Sequence, residues 1–303
     1  MLYIEGAAGI SGDMTVGALL SLGASRDRLK EVLDSLDLGD EFSYEISEKA
    51  SYGMAGTDFN VILPHRCCCG QGHGHCHEDG HGHGHCHGSH GHGHAHGHCH
   101  GHGQEGHGHC HGHGHAHGER PHEHRNLADV EAIIDRGEMS DRARALAKKA
   151  FRLVAEAESK AHGKPLDEVH FHEVGAIDSI VDIVSAAVLF DDLGETECIV
   201  TGLTEGTGTV MCAHGELPVP VPAVLNIAMA TGVPLRTSDT KGECVTPTGI
   251  ALAAAFRTRD ALPASYRVLG VGTGLGKRDY GRPAILRIMR IEDAGEGCGE
   301  VSE

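Results

Sequence analysis

Tryptophan is absent from the 303-residue chain, and Phe, Trp and Tyr together make up only 4% of it. Aromatic side chains therefore supply little buried surface, and we expect a core of Leu, Ile, Val and Ala. Basic residues are also scarce, because 25 Lys and Arg stand against 43 Asp and Glu, which gives a formal net charge of -18. Such a charge repels phosphodiester backbones, so we expect no nucleic-acid partner.

Long apolar runs are missing as well, since no stretch of about 18 apolar residues occurs in the sequence. The first residues, MLYIEGAAGISGDM, carry no basic leader, and Glu5 interrupts their short apolar run. These absences predict a soluble, cytoplasmic protein that does not associate with membranes. In that compartment thiols stay reduced, so the 11 Cys are expected to be available to metal and not to form a disulfide framework.

Histidine is almost absent outside one segment. Between His65 and His124 lie 23 of the 27 His and 7 of the 11 Cys, and the other His residues are His162, His170, His172 and His214. The segment alternates His with Gly and contains Gly-His-Cys-His at 74–77, 84–87, 97–100 and 108–111. Because it has almost nothing to bury, we expect a disordered insert unless metal is bound.

Imidazole and thiolate are ligands that suit Ni, Zn, Cu and Co. The 22 imidazoles from His73 to His124 and the 7 thiols would hold roughly seven ions at about four ligands each. This capacity favours storage or delivery over a single catalytic site, and the choice of metal stays open because Cu and Zn occupy almost any such site. The predicted ligands of the repeats are His75, Cys76, His77, His85, Cys86, His87, His98, Cys99, His100, His109, Cys110 and His111.

The remaining sequence alternates strand and helix patterns. Strands are predicted at 2–5, 42–46, 59–63, 199–203, 266–271 and 284–291. The first predicted helix opens within residues 9–14 and runs to about residue 22. Further helices are predicted at 25–36, 126–137, 140–161, 177–193, 221–230 and 249–257. We therefore expect a mixed α/β (α+β) fold of layered sheets and helices. The expected parts are an N-terminal α/β segment (1–64), the insert (65–124), a main α/β segment packing with the first (125–291) and a polar tail or linker (292–303).

One cluster of potential metal ligands lies around the start of the helix at 177. His170 and His172 are two residues apart, so in an extended segment both leave the same face, and Glu173 follows them. On the helix, Asp178 and Asp182 are four residues apart and therefore neighbours. These residues predict a mixed nitrogen and oxygen site for a divalent transition metal. The alternative is that Asp178 caps the helix and the His pair packs at the surface.

Weaker candidates lie at other turns. His214, close to Glu216, is either a metal ligand or part of a loop, and Asp13 is either a ligand or a helix-start acid. Thr246 and Thr248, at a helix start, either bind phosphate or cap the helix.

The cations Lys277, Arg278 and Arg282 follow Gly270, Gly272, Gly274 and Gly276, which predict a flexible backbone. Cations beside such a backbone suit an anionic ligand, although a turn with solvated charges is the alternative. No arrangement of catalytic residues can be assigned from the spacing.

Taken together, several of these segments resemble the LarC family of nickel-insertion proteins. The matching segments are LYIEGAAGISGDMTVGALLSLGA, the His-rich insert after the early strands, EVHFHEVGAIDSIVDIVSAAVLFDDLG, GTGTVMCAHGELPVPVPAVLNI, ECVTPTGIALAAAF and GVGTGLGKRDYGRPAILRI. The resemblance implies a cyclometallase that inserts Ni²⁺ into a nicotinate-derived substrate, pyridinium-3,5-bisthiocarboxylic acid mononucleotide, with CTP consumed. It also implies a lactate racemase-type apoenzyme as acceptor of the product.

Full-length members of that family carry a further C-terminal domain, associated with CTP and its Mg²⁺ or Mn²⁺. The resemblance therefore implies that this chain is an N-terminal portion that acts with a C-terminal partner, and we expect a homo-oligomer. Two other hypotheses stay open. The first is a nickel or zinc metallochaperone or store that works through the insert, and the second is a zinc-buffering protein with an unrelated folded body.

Overall fold

The computed structural model describes residues 1–64, 125–166, 177–212 and 214–295, and all of them belong to one compact unit. The predicted ligands His170, His172 and Glu173 lie outside the described residues, as do the insert with its predicted ligands and the last eight residues of the tail. None of the described helices combines the length and the apolar character needed to cross a bilayer.

The described residues form a mixed α/β fold, as the sequence predicts. The strands are β1 (Leu2–Gly6), β2 (Ser43–Ser51), β3 (Met54–Ile62), β4 (Cys198–Thr207), β5 (Thr209–Cys212), β6 (Gly215–Pro218), β7 (Leu235–Lys241), β8 (Tyr266–Leu275) and β9 (Ile285–Asp293). The α-helices are α1 (Gly12–Ser21), α2 (Arg26–Ser35), α3 (Leu127–Arg136), α4 (Asp141–His162), α5 (Ile177–Asp192), α6 (Pro222–Thr231) and α7 (Pro247–Phe256).

Seven strands form one mixed sheet in the order β2-β3-β8-β9-β1-β4-β7, and β5 and β6 form a separate antiparallel hairpin. Strand β1 pairs in parallel with β4, and β4 pairs in parallel with β7. Strand β9 pairs antiparallel with both β1 and β8, so it lies between the two halves of the sheet.

Helices cover the sheet and stack outward from it. Helix α1 packs on β8, β3 and β9, α5 packs against α1, and α4 packs against α5, α6 and α7. The main core is aliphatic, with Leu2 and Ile4 fully buried in it. Tyr3 lies between these two residues in β1 and therefore points to the opposite face, where it belongs to a small second cluster with Ile199 and Met289.

Capping residues mark the ends of several of these helices. Ser25 accepts the backbone N–H of Arg28 at the start of α2, and Ser140 caps α4 in the same way. Asn126 forms a reciprocal capping box at the start of α3. Gly163 ends α4 in the left-handed region, at φ 63°.

The prediction of a flexible glycine-rich backbone before Lys277 is wrong. Gly270, Gly272 and Gly274 lie within strand β8, which runs to Leu275. A Cβ at Gly274 would collide with the backbone oxygen of Met14, and one at Gly272 would collide with that of Ala18. These glycines therefore allow α1 to lie directly on the sheet, which is a packing requirement and not a sign of mobility.

Candidate functional site

Two loops run side by side beneath the predicted anion site. The Ile10 N–H donates to the carbonyl oxygen of Cys244 at 2.9 Å, and the Thr246 N–H donates to the carbonyl oxygen of Ile10 at 3.0 Å. One loop leads into α1 and the other into α7, so the amino ends of both helices are adjacent. Gly9, at φ +98°, makes this approach possible, because a Cβ there would collide with the backbone of Cys244.

A buried carboxylate fixes the second of these loops. Glu205, at the end of β4, is only 1% exposed. Its Oε1 accepts the backbone N–H groups of Gly206 at 2.7 Å, Cys244 at 2.7 Å and Val245 at 3.0 Å. Its Oε2 is buried without a hydrogen-bond partner in the described structure. Burial raises the pKa of the Glu205 carboxyl, although the three N–H donors and the positive charge of Arg278 act in the opposite direction.

Glu205 is not among the site residues predicted from the sequence. The available signal was an acidic residue at the end of the apolar strand CIVTGLTE, where a carboxylate needs buried donors.

A cavity of about 230 Å³ opens where the two helices begin, and we call it the helix-start cavity. Its polar lining comes from Ser11, Asp13, Thr246, Lys277, Arg278 and Tyr280, among others. The structure therefore brings four of the predicted site residues together: Asp13, Thr246, Lys277 and Arg278. Helix amino ends and cations are the groups that bind phosphate and carboxylate, so the lining suits an anion.

Each predicted residue at this cavity also has a structural partner. Thr246 caps α7, because its hydroxyl oxygen accepts the Gly249 N–H at 3.0 Å. Arg278 Nη1 lies 3.1 Å from Glu243 Oε2, and Tyr280 donates to the carbonyl oxygen of Glu243. Thr248, by contrast, is buried within α7 and does not line the cavity.

Arg282 does not line the cavity, but its guanidinium interacts with the thiol of Cys244, which does. Its Nε and Nη2 atoms are buried and make no hydrogen bond within the described part of the chain. The guanidinium lowers the pKa of Cys244, but burial has a larger effect in the opposite direction, so the net shift of that pKa is upward. A buried guanidinium with unused donors is a further feature that favours an anionic ligand.

Three carboxylates and one lysine form a second group of side chains at the site. Asp13 accepts hydrogen bonds from the Ser11 hydroxyl and from the Met14 N–H, the latter at 2.9 Å, and its Oδ2 lies 3.5 Å from Lys277 Nζ. Asp178 and Asp182, one turn apart on α5, interact electrostatically with both Asp13 and Lys277. The predicted i, i+4 pair therefore faces the amino end of α1.

Asp182 is the most constrained of the three carboxylates. Its Oδ2 lies so close to Gly12 that a Cβ there would collide with it, and its Oδ1 is buried with no hydrogen-bond partner in the described structure. Burial raises its pKa well above the ordinary value, with a further rise from the charge of Asp13. The pKa of Asp178 is also raised, again mainly by burial.

The site therefore places three carboxyl groups beside cationic groups. Within the described ranges, no three or more His, Cys, Asp or Glu side chains are already placed to hold a metal ion.

His214 lies apart from these groups, at a second cavity of about 400 Å³ that we call the hairpin cavity. It is formed by the β5–β6 hairpin and the end of α4, and its lining includes His162 and Cys212. Glu243 and Arg278 line both cavities, which are therefore neighbours.

Comparison with known proteins gives a consistent result over nearly the whole chain. A family model described as nickel insertion protein matches residues 2–302. The pyridinium-3,5-bisthiocarboxylic acid mononucleotide nickel insertion protein of Alkaliphilus metalliredigens is 47% identical over 292 residues, which cover 96% of this chain and 60% of that protein. The proteins of the same name from Acetivibrio thermocellus and Clostridium kluyveri are 37% and 35% identical, over 95% of this chain and 60% and 61% of their own lengths.

The chain thus spans about 60% of the length of these relatives. No solved structure matches it.

Proposed function

The chain belongs to the nickel insertion protein family, and from this premise we propose that it inserts nickel into pyridinium-3,5-bisthiocarboxylic acid mononucleotide. Because it spans about 60% of its relatives, the proposal includes a C-terminal portion of the family as partner. CTP, with Mg²⁺ or Mn²⁺, is consumed through that portion. The proposed setting is the cytoplasm, the assembly a homo-oligomer, and the acceptor of the product a lactate racemase-type apoenzyme.

The helix-start cavity is the observation that carries this proposal. A mononucleotide with two thiocarboxylates carries negative charge at its phosphate and at both sulfur-bearing groups. In a chain with a net charge of -18, such a ligand needs a local concentration of cations and N–H donors. Lys277, Arg278 and the amino ends of α1 and α7 supply them at one cavity.

The carboxylates beside the cavity are proposed to act on the nickel ion, which is a substrate of the reaction. Asp13, Asp178 and Asp182 supply hard oxygen ligands that bind a divalent ion less strongly than thiolates do. An ion held there would leave readily for the two thiocarboxylates of the mononucleotide. The buried, unpartnered Oδ1 of Asp182 supports this role, because a carboxylate oxygen in that setting is stabilised by a cation. His170, His172 and Glu173 precede these residues in sequence and are proposed as additional ligands.

The His-rich insert is proposed as a nickel reservoir, because its 22 imidazoles and 7 thiols exceed what one reaction site needs. A chain without residues 66–120 should therefore keep full insertion activity at saturating nickel and lose activity at limiting nickel. Complete loss at saturating nickel would instead favour a protein that works only as a carrier or store.

Insertion can be assayed directly with purified mononucleotide, NiCl₂, CTP and the C-terminal portion of the Alkaliphilus metalliredigens relative. We expect nickel-containing product, detected by mass and absorbance, only when this chain is present. The variant Lys277→Ala should raise the KM for the mononucleotide roughly ten- to a hundredfold, which is the loss expected for one charged hydrogen bond. Lys30→Ala, at an exposed ion pair on α2, is the matched control. A Lys277→Ala variant with unchanged KM would remove the helix-start cavity from the proposal.

A further inference from the structure

The hairpin cavity brings together metal-ligating side chains from distant parts of the chain. Glu158 and His162 lie on the last turns of α4, and Cys212 and His214 lie at the turn of the β5–β6 hairpin. The two elements meet because α4 packs against α6, which follows the hairpin in sequence. Two imidazoles and a thiol at one cavity form a donor set that suits borderline transition metals and not Mg²⁺ or Ca²⁺.

The hairpin places its two donor atoms at nearly the separation that a metal requires. Cys212 Sγ and His214 Nδ1 are 4.0 Å apart. Sulfur and nitrogen ligands at about 2.3 and 2.1 Å from one tetrahedral ion lie roughly 3.6 Å apart. A closure of a few tenths of an ångström would therefore let both atoms bind the same ion. Cys212 would give its proton to solvent and lose the 3.3 Å hydrogen bond that its thiol donates to the Gly215 carbonyl oxygen.

His162 is in position to supply the third ligand. Its ring lies 4.8 Å from the ring of His214, measured between centroids. Glu158 Oε2 lies 3.4 Å from His162 Nε2, which orients the ring and directs Nδ1 away from the carboxylate. A carboxylate on the outer nitrogen of a metal-binding histidine is a recurrent arrangement, because it fixes the ring and raises its basicity.

We propose that Cys212, His214 and His162 form a transient nickel(II) site at the hairpin cavity, with Glu158 orienting His162. The side chains of the described residues are not already placed around a metal position, so the site assembles by small rotations as the ion arrives. A site of this kind releases its ion more readily than a rigid structural site. Its location supports a transfer role, since Glu243 and Arg278 separate it from the helix-start cavity. The transfer role rests on the proposed function, whereas nickel binding at this site does not.

Alkylation of Cys212 tests the site in the full chain. Cleavage after Glu205 and Glu216 isolates Cys212 in its own peptide, so mass spectrometry can follow it separately from the Cys residues of the insert. With NiCl₂ in excess of the insert's capacity of roughly seven ions, iodoacetamide should modify Cys212 at least about tenfold more slowly, because a metal-bound thiolate is protected. MgCl₂ should have no effect. No slowing by nickel, or equal slowing by MgCl₂, would overturn the proposal.

Variants identify the other ligands. His162→Ala and His214→Ala should each lose most of the nickel protection, while Lys160→Ala, an exposed position on the same turn as His162, should retain it. The alkylation rate without metal and the melting temperature show whether each variant is folded. Full protection in both His variants would contradict the assignment. Crystals of the wild-type chain soaked in NiCl₂ provide a second measurement, in which an anomalous peak between Cys212 and His214 is expected and its absence counts against the site.

Failure of this inference can be distinguished from failure of the proposed function. Lys277→Ala should leave the nickel protection of Cys212 unchanged while it weakens mononucleotide binding. If His162→Ala and His214→Ala insert nickel normally and Cys212 is never protected, the transient site is wrong and the proposed function stands. If Cys212 is protected but no product forms under any condition, nickel binding at the site stands and insertion fails.

Discussion

Glu205 offers the sharpest test of how the helix-start cavity is held in shape. In Glu205→Ala, the backbone N–H groups of Gly206, Cys244 and Val245 lose their common acceptor. All three donors lie near a side chain that is 1% exposed, so water replaces the carboxylate poorly. In Glu205→Gln, the amide oxygen can still accept all three hydrogen bonds. The amide nitrogen then takes the place of Oε2, which already has no partner in the described structure.

The size of the effect follows from the number of donors. A buried donor left unsatisfied costs about 1–3 kcal/mol, so three of them predict that Glu205→Ala destabilises the fold by at least about 3 kcal/mol. For a chain of this size that loss lowers the Tm by roughly 6–12 °C. Glu205→Gln should stay within about 1 kcal/mol of wild type at acidic pH, because the hydrogen bonds are kept. Glu216→Ala, at an exposed glutamate of the hairpin, should change stability by less than about 0.5 kcal/mol.

The pH dependence of the Gln variant tests the electrostatic part of the argument. Burial raises the folded-state pKa of Glu205 above its ordinary value of 4.5. The folded state therefore holds the proton more tightly, and the associated stability is present below pH 4.5 and is lost as the pH rises through the folded pKa. Glu205→Gln does not titrate, so its stability relative to wild type should increase between pH 4 and pH 7.

The assay is thermal and urea unfolding of wild type, Glu205→Gln, Glu205→Ala and Glu216→Ala at pH 4 and pH 7. Contributions of other titrating groups, including Asp178 and Asp182, are common to all four proteins and cancel in the differences. A Glu205→Ala protein as stable as wild type would show that the carboxylate does not hold the loop. A stability difference between Glu205→Gln and wild type that is the same at both pH values would contradict the raised pKa.

Two other substitutions test packing and charge. Gly274→Ala should destabilise the fold by about 2 kcal/mol or more, because its Cβ would collide with the Met14 backbone. Gly270→Ala in the same strand should be tolerated, since its nearest contact is Leu22 Cδ1 at 3.4 Å, and equal losses in the two variants would contradict the close-approach argument. Asp182→Asn should raise the Tm at pH 7 relative to wild type, and less so at pH 4, because it removes a buried charge whose pKa is raised. The same variant should insert nickel more slowly, and undiminished insertion would exclude Asp182 as a ligand.

The sequence predicts the elements of this fold best where the signal is local. Ser25, Asn126 and Ser140 each precede a helix that the structure confirms, because a capping side chain acts within three residues of its own position. Strand β7 was not predicted, because LRTSDTK lies at the edge of the sheet and has neither an apolar run nor regular alternation. The glycines of β8 were predicted to form a flexible backbone, whereas they make room for the backbone of α1. The sequence could not indicate this role, because α1 lies more than 200 residues away in the chain.

In the candidate site too, the sequence predicted what depends on local spacing and missed what depends on tertiary packing. The sequence indicated Asp178 and Asp182 as a pair from their spacing, since an i, i+4 relation is fixed by the helix itself. Their proximity to Asp13 and Lys277 depends on α1 and α5 packing together, which no local pattern specifies. Cys212 and His162 had no predicted role, because each is an isolated residue until the hairpin meets the end of α4.

The position of β9 at the centre of the sheet affects how the protein folds during its synthesis on the ribosome. Strand β9 joins β1, formed by the first residues of the chain, to β8, so Leu2 pairs with Arg290. Until the residues up to Asp293 have left the exit tunnel, β1 and β8 lack the strand that lies between them, so α1 has no continuous sheet to lie on. Pairings of such long sequence separation form slowly, and the strand edges that await them are exposed in the meantime. The sheet that supports α1 is therefore completed only when β9, the last strand of the described residues, has been synthesised.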